Sequence, residues 1–358
     1  MAITEHTKAK QGGEIYTLAQ SGTKNNSKNH LEALVKGQGT EIIENPSLEM
    51  RAKRKVVTNK MVLSLIDVAK EKGDFDRVQS YRNAYYCQSN VVISGSKLYG
   101  DYCKNRFCTI CTAIRKAEII NKYHPTISQW EDVHFVTLTV KSCKADMLNK
   151  WIWRMNKAFN LIHNRCKKRH QRGKGIKLIG VKSLECNFNP KSRTYNPHFH
   201  IIVPSLEVAQ LLRREWMKQW RPTDKRQDRY KYTYPKAQHI KKVDDLKHTL
   251  IETIKYGSKI FTEPDLKKKG KQSTSPFIYV YALDNILAAL KGIRLFERFG
   301  FNLPPQEVEI SKEKWVSNFD EWVFSSEGAD WITPDTGECL TGYLQPPELS
   351  HLLNECLN

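Results

Sequence analysis

The segment Asn196-Pro197-His198-Phe199-His200-Ile201-Ile202-Val203 sets two histidines around one apolar residue and follows them with a β-branched run. That run reads as a buried strand. Residues i and i+2 of a strand share a face, so His198 and His200 project side by side while Phe199 turns into the core. Two imidazoles on one face can hold a divalent metal. The preceding strand contains Ser183-Leu184-Glu185-Cys186-Asn187. Antiparallel pairing through a turn at 189–196 brings Glu185 beside His198 or His200. Two histidines and a carboxylate suit Mg²⁺ or Mn²⁺ acting as a Lewis acid on phosphate. Without the histidines, Glu185 would read as an ordinary solvated strand carboxylate.

A second group is Cys103-Lys104-Asn105-Arg106-Phe107-Cys108-Thr109-Ile110-Cys111. Cys108 and Cys111 form a C-x-x-C pair, Cys103 adds a third thiolate, and Cys87 upstream is the natural fourth, with His124 as its substitute. Four thiolates make a closed structural Zn²⁺ site; the alternative is a cluster of buried thiols. A third group is Glu252-Thr253-Ile254-Lys255-Tyr256-Gly257-Ser258-Lys259. On a helix, Glu252 and Tyr256 share a face one turn apart and Lys259 continues it. A tyrosine can be a covalent nucleophile, a lysine can balance phosphate charge, and a carboxylate can activate water. The plain alternative is an amphipathic helix with a surface ion pair.

The elements that must position these groups follow from periodicity. Residues 134–140 read as a strand, 146–166 as an amphipathic helix, 176–188 as a second strand and 206–220 as a helix. Tyr230–Tyr234 alternates like a short strand, and 243–260 and 284–299 read as helices, the latter ended by Gly300. The order β-α-β-β-α-β matches a split βαβ, so the fold class expected is α+β: a ferredoxin-like antiparallel sheet with helices on one face. Before it, 60–72 and 114–123 read as helices flanking the cysteines. Residues 1–55 are polar and expected to be disordered, apart from a short helix near Leu31–Val35. The implied divisions are 1–55, a cysteine-rich region over 56–128, the core over 129–300, and an acidic region over 301–358.

The 358 residues carry a net charge of +20, unevenly spread. Residues 301–358 hold 2 Lys/Arg against 11 Asp/Glu, which leaves the first 300 at +29. That excess favours a polyanionic partner, nucleic acid above all. No apolar span or basic amphipathic helix argues for a membrane. The start of the chain lacks an apolar signal segment, so a cytoplasmic location is expected. Nine cysteines in a reducing compartment then point to free thiols or metal ligands. The absence of G-x-x-x-x-G-K-[ST] excludes an ATP-driven motor built on that motif.

Three blocks in this order resemble the rolling-circle replication initiators of small bacterial plasmids, within the HUH endonuclease superfamily. Phe135-Val136-Thr137-Leu138-Thr139-Val140 is similar to the family's opening strand, Pro197-His198-Phe199-His200-Ile201-Ile202-Val203 to its metal strand, and Glu252-x3-Tyr256-x2-Lys259 to the nucleophile helix of the single-tyrosine subgroup. The cysteine block followed by Arg115 resembles the segment before that core, although Thr109 stands where the family often has proline. The resemblance implies that Tyr256 attacks one strand at a plasmid origin, single-stranded or in a hairpin at the nick, leaving a 5′-phosphotyrosine and a 3′-OH primer. Glu252 would later activate water, and Lys259 would assist at the phosphate. Metal at His198, His200 and Glu185 would polarise that phosphate. A host helicase and DNA polymerase are implied as partners, and a homodimer is left open. Two rivals remain. One is a two-tyrosine transposase or phage initiator using Tyr230/Tyr234 or Tyr81/Tyr85. The other is a non-catalytic, zinc-bearing DNA-binding regulator.

Overall fold

The computed structural model describes residues 32–36, 40–41, 45–224, 226–254, 277–304 and 313–350. In chain order its elements are β1 (Glu32–Lys36), β2 (Thr40–Glu41), α1 (Asn45–Glu71), α2 (Phe75–Tyr85), β3 (Asn90–Ser94), β4 (Lys97–Gly100), α3 (Thr109–Ile127), β5 (His134–Thr139), α4 (Ala145–Gln171), β6 (Gly180–Asn189) and β7 (Thr194–Val203). They continue with α5 (Leu206–Gln219), a 3₁₀ turn (Pro235–Ala237), β8 (His239–Lys242), α6 (Leu246–Thr253), α7 (Phe277–Ala289), β9 (Phe296–Phe299), β10 (Glu313–Ser317), β11 (Phe319–Ser325) and β12 (Asp330–Ile332). This is the α+β class expected. The chain divides into two compact units. One comprises Met1–Ile66, Gly73–Cys111 and Glu307–Pro347; the other comprises Asp67–Lys72, Thr112–Gln306 and Glu348–Asn358.

The second unit is built on a five-stranded sheet in the order β8-β5-β7-β6-β9, antiparallel at every step. One face is roofed by α4 and α5. Leu148, Ile152, Met155, Phe159 and Ile162 recur at three- and four-residue spacing along α4 and are all buried. Phe199 of β7 meets Phe159 at 5.6 Å and Trp216 of α5 at 5.8 Å between ring centroids. Removing so buried a ring should cost about 3–5 kcal/mol. Glu215 of α5 accepts from Arg165 and Arg169 of α4, each at 2.8 Å, tying the two helices together. Ser205 caps α5 by accepting the Val208 N–H. The other face is covered in part: Val181 and Ile202 pack with Tyr123 and Ile127 of α3 and with Leu250 and Ile254 around α6. Helices therefore lie on both faces, beyond the single roof expected.

The first unit holds a sheet in the order β12-β11-β3-β4-β2 and a pair β1-β10. Trp331, fully buried, packs with Leu48, Ala52, Val91 and Leu98. Its indole N–H donates to the Gln88 carbonyl at 2.8 Å.

Several local expectations give way. Residues 32–36 are a strand, not a helix, because they pair with 313–317. Residues 45–55 lie in α1 rather than in a disordered segment, and Ala52 and Lys55 there are fully buried. In the acidic C-terminal region the strand that Trp331-Ile332-Thr333 suggests does form, as β12, while Tyr343-Leu344 forms none and β10 and β11 are added, β11 pairing with β3. Tyr230–Tyr234 forms no strand; Pro235 opens a 3₁₀ turn, and the sheet edge is β8 instead. The expected helix 284–299 is split: α7 ends at Ala289, Gly292 takes φ +76°, and 296–299 pair with β6. Gly300 follows that strand at φ +76°, where a Cβ would collide with the Leu178 carbonyl oxygen.

Candidate functional site

Strand register builds the first cluster. Glu185 of β6 lies directly opposite His198 of β7, and Ser183 opposite His200. On the other side of β7, Thr139 faces His198 and Thr137 faces His200. Period-two alternation therefore puts Glu185, His198 and His200 on one face. Glu185 Oε1 is 3.2 Å from His200 Nδ1, and Oε2 is 3.7 Å from His198 Nε2. The imidazole centroids are 4.7 Å apart. Glu185 and His198 are buried, and His200 is partly open.

Tautomer reasoning tests the cluster as a metal site. His198 Nδ1 lies 2.9 Å from the Asn196 carbonyl, which can only accept, so the ring proton sits on Nδ1. In the neutral ring, Nε2 then presents its lone pair toward the Glu185 carboxylate. Two acceptors facing each other suit an intervening cation, and fixing the tautomer through the other nitrogen is how ligating histidines are oriented. One donor atom from each of the three residues lies within 4.8 Å of the others. Burial pushes the Glu185 carboxyl up, but the imidazoles of His198 and His200 outweigh it and hold it down at about 2. The carboxylate is thus ionised and ready as a ligand at neutral pH.

The second cluster lies in the first unit. The sulfurs of Cys87, Cys103, Cys108 and Cys111 all fall within 4.8 Å of one another. Cys87 and Cys111 are 3.5 Å apart, Cys103 and Cys111 3.7 Å. A tetrahedron with Zn–S of about 2.3 Å has edges of about 3.8 Å, so the cage fits a tetrahedral thiophilic ion. Backbone N–H groups of Cys103 and Asn105 donate to Cys87 Sγ and Cys103 Sγ, each at 3.4 Å, and Lys104 supplies the bend at φ +56°. Hydrogen bonds among the thiols push Cys87 and Cys103 up and hold Cys108 and Cys111 down, and a metal bound by the four sulfurs would displace their protons. His124 on α3 is outside this group, and Cys87 is inside it.

Sequence reasoning missed Lys55. It is fully buried and donates to the carbonyls of Tyr85 and Cys87 and to Ser89 Oγ. Burial lowers its pKa to about 8 against the opposing pull of the four cysteines. The basic stretch Arg51-Ala52-Lys53-Arg54-Lys55 hid it as a solvated face. Also missed was Gln238, which is buried and bonds both the N–H and the carbonyl of Thr139 beside the histidine strand, at 2.8 and 3.2 Å.

Of the third group, Glu252 stands half-buried on α6, whose N-terminus Asp245 caps by accepting from His248 N at 2.9 Å. Tyr256 and Lys259 lie outside the described residues. Tyr81, from the rival pair Tyr81/Tyr85, is buried edge-on against Phe107 at 5.0 Å, with no access for a substrate. Among the described residues no helix is long and apolar enough to cross a membrane.

A two-histidine, one-carboxylate face on an antiparallel sheet, accompanied by a four-cysteine cage, is the arrangement expected from the resemblance. A family model described as replication protein, Rep_1, matches residues 97–325, and the chain belongs to that family. Protein rep of Staphylococcus aureus is 31% identical over 166 residues, covering 42% of this chain and 69% of that relative. Protein rep of Streptococcus pneumoniae is 28% identical over 183 residues, covering 45% and 52%. No solved structure matches.

Proposed function

We propose that this replication initiator cuts one strand of its origin DNA by tyrosine transesterification. The observation that carries this reading is that Glu185, His198 and His200 share the sheet face on which Leu250 and Ile254 pack against Val181 and Ile202. Glu252 belongs to that same helix. Tyr256 is two residues beyond Ile254, so its Cα is within about 7 Å of that of Ile254 by chain reach alone.

The Tyr256 hydroxyl oxygen bonds to the scissile phosphorus while the bond from phosphorus to the 3′-oxygen breaks. The tyrosine proton is lost, the 3′-oxygen gains one, and the products are a 5′-phosphotyrosine and a 3′-OH primer. A divalent cation held by Glu185, His198 and His200, Mg²⁺ or Mn²⁺, would supply Lewis-acid polarisation of the phosphate. Lys259 balances charge on the phosphate oxygens. Glu252 takes the proton of a water in the closing cut, which spares the protein a second nucleophile. The four-cysteine cage holds Zn²⁺ as a structural ion. The +29 of the first 300 residues recruits the phosphate backbone, and a host helicase and polymerase extend the primer.

The test is adduct formation on labelled single-stranded origin DNA. Wild type should give a covalent adduct only with divalent metal, mapped to Tyr256 by peptide mass. Tyr256→Phe should give none, and His198→Ala should give none while remaining folded. An adduct in Tyr256→Phe assigns the nucleophile elsewhere, and full activity in a folded His198→Ala removes the metal from the mechanism. No nicking by the wild type under any metal would favour the non-catalytic regulator.

A further inference from the structure

The segment between α5 and β8 carries Tyr230, Tyr232 and Tyr234, which the proposed chemistry does not use. It is not a loose loop. The Lys141 N–H donates to the Tyr232 carbonyl at 2.8 Å, Thr233 Oγ1 donates to the Thr139 carbonyl at 2.9 Å, and Gln238 Nε2 donates to the Tyr234 carbonyl at 2.9 Å. These bonds tie the segment to Thr139 at the end of β5 and to Lys141 just beyond it, directly or through Gln238, which also bonds Thr139; Thr139 faces His198. Arg154 underpins the segment: its guanidinium lies 5.0, 5.4 and 5.3 Å from the ring centroids of Trp151, Trp220 and Tyr232.

On this fixed base sit two rings with cations against them. Tyr230 and Tyr234 are 5.9 Å apart between centroids at 31°. Lys141 Nζ is 4.7 Å from the Tyr234 centroid, and the Arg229 guanidinium is 5.6 Å from the Tyr230 centroid. Tyr234 is 46% exposed, and Lys141 and Arg229 are exposed as well. A tyrosine ring held open to solvent by its own backbone, with an exposed cation against it, suits one ligand chemistry: a base for the ring and a phosphate for the cation. A cation resting on an exposed ring is weakly held. An arriving base takes the ring, and the released Lys141 or Arg229 pairs with the adjoining phosphate.

We propose that Tyr230, Tyr234, Lys141 and Arg229 form a stacking platform for unpaired bases of single-stranded DNA at the C-terminal end of β5, the strand whose Thr139 pairs with His198. This rests on the nicking reading for the identity of the DNA but not for the binding itself. It gives the Y-x3-Y pair a positioning role rather than a nucleophilic one. Duplex DNA offers no free base face and should gain nothing from the platform.

The test separates binding from chemistry. Full-length protein as purified, with no Mg²⁺ or Mn²⁺ added, is titrated against a fluorescein-labelled oligothymidine and against a duplex, following anisotropy. The pair Tyr230→Ala/Tyr234→Ala should weaken oligothymidine binding by about tenfold or more, as expected for losing base stacking, and leave duplex binding unchanged. Tyr230→Phe/Tyr234→Phe, which keeps the rings, should bind like wild type and form the covalent adduct with Mg²⁺. Lys141→Met, a surface change that leaves packing intact, should reduce the salt dependence of oligothymidine binding by about 0.7 in slope. Unchanged affinity in a folded Ala pair, or equal losses on both DNA forms, overturns the platform. So does loss of the adduct in the Phe pair, which would make these tyrosines nucleophiles. If wild type never nicks yet the Ala pair loses oligothymidine binding, the platform stands and the nicking reading falls; normal nicking with an unaffected Ala pair does the reverse.

Discussion

Glu185→Gln tests the electrostatics of the histidine face directly. In the metal-free protein the carboxyl is drawn from its ordinary 4.5 to about 2, because the two imidazoles outweigh the cost of burial. A depressed acid stabilises the fold when ionised. Its contribution is complete above the unfolded value of about 4.5 and is lost as pH falls through the folded value of about 2. The separation is worth about 3 kcal/mol at 1.36 kcal/mol per decade of proton affinity. Urea denaturation without added Mg²⁺ or Mn²⁺ between pH 6 and 2 should show wild type losing about 3 kcal/mol more than Glu185→Gln over that range. A second measurement links the same residue to metal. At a hundredfold excess over its Kd, a bound cation stabilises the folded state by about 2.7 kcal/mol. Mn²⁺ should therefore raise the wild-type melting temperature by several degrees and the variant's hardly at all. Identical acid limbs for the two proteins, or an equal Mn²⁺ response, would refute the pairing of Glu185 with both histidines.

Other outcomes are equally specific. Freshly purified protein should hold about one Zn²⁺ per chain, as four thiolates require; Cys111→Ser should lose it, read by metal analysis. The near-UV dichroism of Trp331 should fall with it, since its indole bonds the carbonyl of the residue after Cys87. Lys55→Met leaves the carbonyls of Tyr85 and Cys87 without their buried cation and should destabilise the first unit by about 3 kcal/mol or more, with faster zinc release to a chromogenic chelator. Gly300→Ala should cost about 2 kcal/mol or more in denaturant unfolding, from a positive φ and a clash with Leu178. Glu252→Gln should still form the covalent adduct but fail to end the round, so multimeric product accumulates from a two-origin plasmid; normal termination would reduce Glu252 to a surface residue.

The parts of the molecule that were legible in the sequence are those where one local signal sufficed. Alternation in 194–203 exposes the histidine pair, and a short turn after 189 leaves Glu185 directly opposite His198. The cysteine spacing does the same for the cage. What was illegible depended on distant partners. Glu32–Lys36 carries no strand signal of its own and becomes one only against 313–317. Phe296 and Phe299 continue the apolar spacing of α7, and only Gly292, in a left-handed turn, marks the break that lets them join β6. Lys55 reads as one charge in a basic run, because the three acceptors that bury it come from residues 85–89. Tyr230–Tyr234 alternates as a strand would, but its backbone groups are spent on Lys141 and Gln238 instead of a ladder.

The pairing of β3 with β11 has a consequence for when this protein comes into being. Asn90–Ser94 are made well before their sheet neighbours, Phe319–Val323, which follow roughly 230 residues later, a wait of about 12–46 s at ordinary ribosomal speed. The strands of the histidine sheet, from His134 to Phe299, are all made within that interval. The cysteine-bearing unit must therefore wait, with β3 missing one of its two neighbours, until residues 319–323 are made. A chain released early by a nonsense codon keeps every residue of the histidine sheet but never closes the unit that holds the thiol cage.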